Sequence, residues 1–196
     1  MGDINTLIER WQAGDERAAE DLYNLHRQRV YHLAYGLLGN TADAEEAAQD
    51  ALTYALLNIS RYDPQRSKFT TWLHMITVGR CRDIQRKRRL PTLSLTAWFP
   101  GKHDRPAPDS DLIRQTIRTE TRSEVWQVVK SLSPPLREAI VLRHWGGYTY
   151  GEIGDIVGCP MKTAQSRVRL AYQRLEKELA EIERQDLGEE GYEPTH

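Results

Sequence analysis

The sequence predicts an all-α protein of two small helical domains joined by an extended linker. Three observations carry this. Apolar residues recur at helical spacing along almost the whole chain, with no sustained alternation of period two. The pattern fails once, from Leu90 to Asp111, where Pro91, Pro100, Gly101, Pro106 and Pro108 cluster. Helix start and stop signals then resume in short succession. The 196 residues, 39% of them apolar, exclude a collagen-like or wholly disordered chain. No apolar run approaches the ~18 residues of a membrane span, and Met1-Gly2-Asp3-Ile4 does not begin a signal peptide. Cys81 and Cys159 lie far apart without C-x-x-C spacing, so neither a disulfide framework nor a zinc site is expected. A soluble cytosolic protein without membrane insertion is the expectation.

The elements follow in order. Ile4, Leu7, Ile8 and Trp11 mark a first short helix. Leu22, Leu25, Val30, Leu33, Ala34 and Leu37 mark a second, stopped near Gly39. Thr41 can cap a third, with Asp43 and Glu45 in the first turn, where the macrodipole favours acids. That helix is expected to run to about Ile59 and to be broken by Asp63-Pro64. A fourth begins near Phe69 and continues through Leu73, Ile76 and Ile84 into a basic run. The 22 residues from Leu90 to Asp111 read as a linker that could reach on the order of 70 Å fully extended. Trp98 and Phe99 are unusual in such a segment.

Beyond the linker, Val125, Val128, Val129 and Leu132 fall on one helical stripe. Ser133-Pro134 starts the next helix with cap and first-turn proline in the favoured order, and Gly146-Gly147 ends it. Thr149-x-x-Glu152 reads as a capping box opening a short helix whose inner face holds Ile153, Ile156 and Val157. Gly158 supplies a turn, and a long helix follows from about Lys162.

A formal net charge of −1 conceals a bipolar distribution. Arg80, Arg82, Arg86, Lys87, Arg88 and Arg89 face Asp83 alone, a local +5. Lys162, Arg167, Arg169 and Arg174 make a second stretch of +4, and the tail from Glu176 to His196 carries −6. Two separated basic stretches suit two contacts with a polyanion, nucleic acid being the obvious one.

The short capped helix, glycine turn and long basic helix make a helix-turn-helix candidate. Gly154 is small where the two helices cross. Ala164, Val168, Ala171, Leu175 and Leu179 form the inward stripe of the last helix. The outward stripe is Lys162, Gln165, Ser166, Arg169 and Gln173, side chains suited to base edges or phosphates, with Arg167 and Arg174 flanking it. On the third helix, Glu46, Gln49, Asp50 and Thr53 share a polar face opposite Ala44, Ala47, Ala48, Ala51 and Ala55. Such a face is ordinarily only solvated. Near the first basic run lie Tyr62, Phe69 and Trp72, aromatics able to stack on exposed bases. Phe69 and Trp72 suit core packing better, which leaves Tyr62, in the loop beside Asp63-Pro64, as the stacking candidate.

Together these residues resemble the extracytoplasmic-function (ECF, group 4) sigma factors of bacterial RNA polymerase. Asp43-Ala-Glu-Glu-Ala-Ala-Gln-Asp50 is similar to region 2.2 of that family. Phe69-Thr-Thr-Trp-Leu73, with Asp83 and the arginine run, is similar to regions 2.3 and 2.4. Leu132-Ser-Pro-Pro-Leu-Arg-Glu-Ala-Ile-Val-Leu-Arg143 resembles region 4.1. Tyr148-Thr-Tyr-Gly-Glu-Ile-Gly154 with Thr163-Ala-Gln-Ser-Arg167 resembles the region 4.2 helix-turn-helix.

The resemblance implies region 2 over residues 1–90, a region 3.2-like linker over 91–118, region 4 over 119–182 and an acidic tail over 183–196. It implies core RNA polymerase as partner, through its clamp helices and flap, with Glu46, Gln49 and Asp50 meeting the clamp. It implies promoter DNA as ligand, the −10 element falling to Tyr62, Phe69, Trp72, Gly79, Arg80, Arg86, Lys87 and Arg88. The −35 element falls to Arg143, Lys162, Thr163, Gln165, Ser166, Arg167, Arg169 and Gln173. An anti-sigma factor is a further implied partner. Gly79 stands where many members have asparagine, which suggests room for a differently placed base or for a loop side chain such as Tyr62. Lys162 stands where glycine is usual, and Leu170 where a basic residue is common.

A stand-alone helix-turn-helix regulator would explain the second domain but not the acidic face or the first basic run. A nucleic-acid enzyme would need clustered carboxylates or metal ligands. The histidines at 26, 32, 74, 103, 144 and 196 are scattered, and no phosphate loop or nucleophile constellation is present. No catalytic residue, metal or cofactor is therefore expected.

Overall fold

The structure is a computed structural model that describes residues 4–89 and 120–189. Eight α-helices and one 3-10 turn make up these described residues: α1 (Ile4–Gln12), α2 (Glu16–Leu38), α3 (Thr41–Leu57), the turn Ile59–Arg61, α4 (Phe69–Arg89), α5 (Glu120–Ser131), α6 (Pro134–His144), α7 (Tyr150–Val157) and α8 (Met161–Glu189). The expected linker over 91–118, with Trp98 and Phe99, lies outside the described residues.

In the first unit α2, α3 and α4 pack on one another and α1 lies along α2. Asp15 caps α2 by accepting from the Arg17 amide, and Arg10 grips the same carboxylate at 2.6 Å. Gly39 ends α2 at φ 68°, a left-handed conformation glycine adopts without a Cβ penalty. Ala44, Ala47, Ala48, Ala51 and Ala55 are all buried, so the small side of α3 is its packing side. Trp11 donates through Nε1 to the Leu56 carbonyl at 2.9 Å, fastening α1 to the end of α3.

Two boundaries differ from expectation. Asn40, not Thr41, caps α3, its side chain accepting from the Asp43 amide at 2.9 Å. The same helix stops at Leu57, because the Asn58 side chain and amide both turn back to the Tyr54 carbonyl well before Asp63-Pro64. At the other end of the described residues α8 runs unbroken to Glu189.

The second unit is built from α5, α6, α7 and α8, with α8 against the other three. The two units are not independent bodies. Helix α4 packs on α7 and α2 on α6, and a single apolar cluster runs from Leu33, Ala34, Val78 and Cys81 to Ala139, Ile140, Val141 and Ile153.

His26 and His74 are buried in the first unit at 2% and 7% exposure. Burial holds each imidazole neutral, with its pKa lowered to about 4, and the Arg29 charge reinforces this. The unfolded chain therefore binds more protons than the folded one between pH ~4 and ~6.5, so stability falls as pH drops through that window. Neither ring nitrogen of His26 has a partner among the described residues, and its ring meets Phe69 edge-on at 5.2 Å. His26→Leu should therefore be close to neutral at pH 7. At pH 5 it should make the protein about 1–2 kcal/mol more stable than wild type, read from urea unfolding at both pH values.

Candidate nucleic-acid and polymerase interface

Three surfaces carry the residues singled out above. On α3, Glu46, Gln49 and Asp50 are all exposed on the side opposite the buried alanines. Thr53 continues the same stripe, and Leu57 extends it as an apolar side chain 75% exposed. Leu57 was missed. Its spacing of seven residues from Asp50 was the available signal, since it repeats the outward position two turns on.

The second surface is the 62–72 loop with α4. Tyr62 does not sit where the sequence places it. Its ring is only 9% exposed, meets Phe69 edge-on at 5.4 Å and Trp72 at 5.6 Å, and its hydroxyl donates to the Ser67 carbonyl at 3.1 Å. The expected stacking platform is thus the loop's own core, because an aromatic ring beside two others gains more from packing than from solvent. Phe69 is buried at 3%, and Trp72, half-buried, is the member that reaches the surface. Gly79 is half-buried, and a Cβ there would meet nothing within 4 Å. Tyr62 therefore does not fill the space that Gly79 leaves, contrary to the expectation, and a Cβ there is accommodated.

The basic run of α4 is partly neutralised from within. Arg80 lies over the Tyr54 ring at 4.7 Å, Arg86 pairs with Asp83 at 2.8 Å, and Arg88 pairs with the half-buried Asp43 at 2.6 Å. Lys87 is exposed. Arg82, not among the residues expected to act, makes the best-formed contact of the run. It donates from Nε and Nη2 to the two carboxylate oxygens of Glu138 at 2.8 and 2.7 Å, and from Nη2 to the Val157 carbonyl at 3.0 Å.

The third surface is the helix-turn-helix of α7 and α8. Thr149 and Glu152 form the expected reciprocal capping box, and the amide and hydroxyl of Thr149 hold the Glu152 carboxyl below its ordinary pKa range. Gly158 turns the chain at φ 75°. Ala164, Val168 and Ala171 are buried and Leu175 and Leu179 half-buried. Lys162, Gln165, Ser166, Arg169 and Gln173 are all exposed, so the structure brings them together on one outward face. Thr163 and Arg167 are half-buried at its edge. Arg143 lies over the Tyr150 ring at 5.1 Å and donates to the Tyr148 carbonyl at 2.9 Å, exposed beside the start of α7.

Among the described residues no cluster of three or more His, Cys, Asp or Glu could hold a metal, and no helix is long and apolar enough to cross a membrane. Burial pushes the Cys81 thiol up to about 12, so it is not a ready nucleophile.

A helix-turn-helix with an exposed basic and amide stripe, joined to a second helical unit carrying adjacent acidic and basic faces, defines a DNA-binding protein of the transcription machinery. Comparison with known proteins agrees. Residues 10–90 match Sigma-70 region 2 and residues 122–175 match Sigma-70, region 4. The chain is 29% identical over 185 residues to the ECF RNA polymerase sigma factor SigW of Bacillus subtilis, covering 91% of this chain and 98% of that one. It is 33% identical over 172 residues to the ECF RNA polymerase sigma factor SigE of Mycolicibacterium smegmatis, covering 85% of this chain and 65% of the relative. The fold resembles CnrH, solved in complex with the cytosolic domain of CnrY, with TM-score 0.66 at 22% identity, over 91% of this chain and 98% of that one. It also resembles the sigma factor RpoE of Bartonella quintana, solved with the anti-sigma factor NepR, with TM-score 0.63 at 25% identity, over 82% and 96% of the two chains. The chain belongs to the ECF sigma factors of the sigma-70 family.

The geometry of the turn gives a direct test. A Cβ on Gly154 would lie 2.6 Å from the Cys159 carbonyl oxygen, a backbone atom that cannot swing away. Gly154→Ala should force α7 and α8 apart, destabilise the second unit by about 1–3 kcal/mol and weaken duplex binding by the full chain. Thermal unfolding and a fluorescence-anisotropy titration with −35 duplex would check both.

Proposed function

We propose a division of labour among the surfaces of this alternative sigma factor, which binds core RNA polymerase and directs promoter-specific transcription initiation. Both sigma regions occur in order, each on one of the two helical units, and this carries the reading. It also disfavours a stand-alone helix-turn-helix regulator, which has no use for the first unit. Glu46, Gln49 and Asp50 meet a basic surface of the polymerase clamp, and Leu57 adds an apolar contact at the end of the same stripe. Trp72, Gly79, Arg80, Arg86, Lys87 and Arg88 serve the −10 element, while Tyr62 and Phe69 support the loop from inside. The stripe of Lys162, Gln165, Ser166, Arg169 and Gln173 reads −35 base edges, and Arg143, Thr163 and Arg167 hold phosphates at its margin.

Sigma factors are generally not enzymes, and this chain acts by binding alone, without cofactor, in a bacterial cytoplasm. The RpoE relative was solved with an anti-sigma factor, which supports an inhibitor of that class as a partner here.

Two measurements test the assignments. Asp50→Arg should abolish co-purification with core polymerase, because like charges in contact cost several kcal/mol, while −35 duplex binding by the full chain persists. Arg169→Ala should lose about 1–3 kcal/mol and relax preference at one or two −35 positions. By contrast Arg167→Ala should weaken all −35 variants alike and lower the salt slope by about one unit. Identical behaviour of the two variants across a −35 library would overturn the face assignment.

A further inference from the structure

Two arginines of the first unit converge on one tyrosine from different elements. Arg80 of α4 lies with its guanidinium carbon 4.7 Å from the centre of the Tyr54 ring. Arg61, the last residue of the 3-10 turn, donates from Nη1 to the Tyr54 hydroxyl at 3.1 Å. Tyr54 and Arg80 are half-buried and Arg61 is exposed. The backbone beneath Arg61 is fixed. Asn58 turns both its amide and its side chain to the Tyr54 carbonyl, the Arg61 amide donates to the Asn58 carbonyl at 2.9 Å, and Ile59 between them is buried. Tyr54 thus holds the turn by its carbonyl and the tip of Arg61 by its hydroxyl.

Neither arginine is neutralised. Arg82, Arg86 and Arg88 each face a carboxylate, whereas among the described residues Arg61 and Arg80 pair with no acid. Their contacts with Tyr54 also leave most of their donors free. A guanidinium over a ring face is held through its charge, and its N–H edges still point outward. The bond from Arg61 uses one of five N–H donors. Two cations brought to one phenol repel each other, a cost that an anion between them relieves.

We propose that Arg61, Arg80 and Tyr54 form a phosphate clamp for the unpaired strand of the −10 element, with Arg61 a DNA contact and Tyr54 the residue that positions it. A phosphodiester brings the missing negative charge, and its oxygens accept from the free edges of both guanidiniums. Gly79, next to Arg80, leaves open space in which a strand can approach, since a Cβ there would meet nothing within 4 Å. Trp72 lies two helical turns back on the same side of α4 and reaches the surface, and cations beside an aromatic ring suit a strand whose bases are free to stack. Holding both long side chains before the strand arrives removes much of the cost of ordering them on binding. The inference rests on the reading of α4 as the DNA-facing helix of the first unit. It adds the 3-10 turn and Tyr54, which that reading leaves without a role.

The test uses the full chain in complex with core polymerase and a labelled mixed-sequence single-stranded DNA of about 20 nucleotides, titrated at several salt concentrations. Arg61→Ala should bind about fivefold more weakly at about 0.1 M salt, with a salt slope shallower by ~0.7, the value for one phosphate contact on a single strand. Tyr54→Phe keeps the ring under Arg80 and releases Arg61. It should cost about threefold in the wild-type chain, with the slope unchanged, and nothing in the Arg61→Ala chain. Arg61 is exposed and Tyr54→Phe retains the ring, so helicity and co-purification with core should be unchanged in both variants. A hydroxyl that serves only the fold would cost the same in both chains, and that result would overturn the positioning role. On the same sequence as a duplex, which the α8 stripe engages, Arg61→Ala should cost no more than about twofold. Equal losses on strand and duplex would overturn the unpaired strand as the source of the phosphate. Wild-type affinity and slope for Arg61→Ala, with loss in the triple variant Arg86→Ala, Lys87→Ala, Arg88→Ala, would overturn the clamp alone. A triple variant that also binds as well as wild type would show that the α4 reading has failed, and the clamp with it.

Discussion

The Arg82–Glu138 pair is the constraint around which the two units are organised. Glu138 lies in a helix whose neighbours in sequence, Ala139, Ile140, Val141 and Leu142, are all buried. A carboxylate in that setting would be costly alone, by several kcal/mol, and the bidentate guanidinium is what makes it tolerable. The pair does not thereby make the fold more stable than an apolar substitute would, since both ions are partly desolvated. Its contribution is specificity of approach. Arg82 reaches Glu138 and the Val157 carbonyl only when α4 crosses α6 and α7 at one height and angle, so the pair sets the register of two apolar faces that could otherwise slide.

The same economy of charge runs along the rest of α4. The local +5 visible in the sequence is not a uniform positive field, because Arg86, Arg88 and Arg82 each face an acid and Arg80 faces an aromatic ring. Exposed pairs such as Arg86–Asp83 are worth little and exchange readily for phosphate, so they leave the arginine available to a polyanion. Arg88–Asp43 and Arg82–Glu138 differ, since each carboxylate is mostly buried and loses solvation if its arginine departs. The basic stretch is therefore graded, from Lys87 at the free end of the scale to Arg82 at the committed end.

Much of this was legible in the sequence where the determinant is local. The capping box of Thr149 and Glu152, the left-handed Gly39 and Gly158, the alanine side of α3 and the two stripes of α8 each depend on residues within two helical turns. Misread features depend on partners far along the chain. Tyr62 was expected on the surface because Asp63-Pro64 marks a loop, yet Phe69 and Trp72 fold back over it and make the loop its own small core. Likewise Arg82 read as one more member of a basic run, since its partner lies 56 residues away beyond the linker. Asn58 ended α3 early by a side-chain bond to Tyr54 that propensity alone does not announce.

The alanine side of α3 has a last consequence for how the first unit works. Side chains no larger than methyl at five buried positions let α3 lie close against its neighbours. The acidic stripe of Glu46, Gln49 and Asp50 thus stands on the outer side of the helix that backs α4, with the Arg88–Asp43 pair as a rivet between them. Rigid helices this close do not rotate independently, because every small shift would trade packed contacts for voids. A partner that seizes the acidic stripe therefore fixes the direction in which α4 presents Trp72, Gly79 and Lys87. Under the proposed assignment, position on the polymerase and aim at the DNA become one degree of freedom, set by five methyl groups.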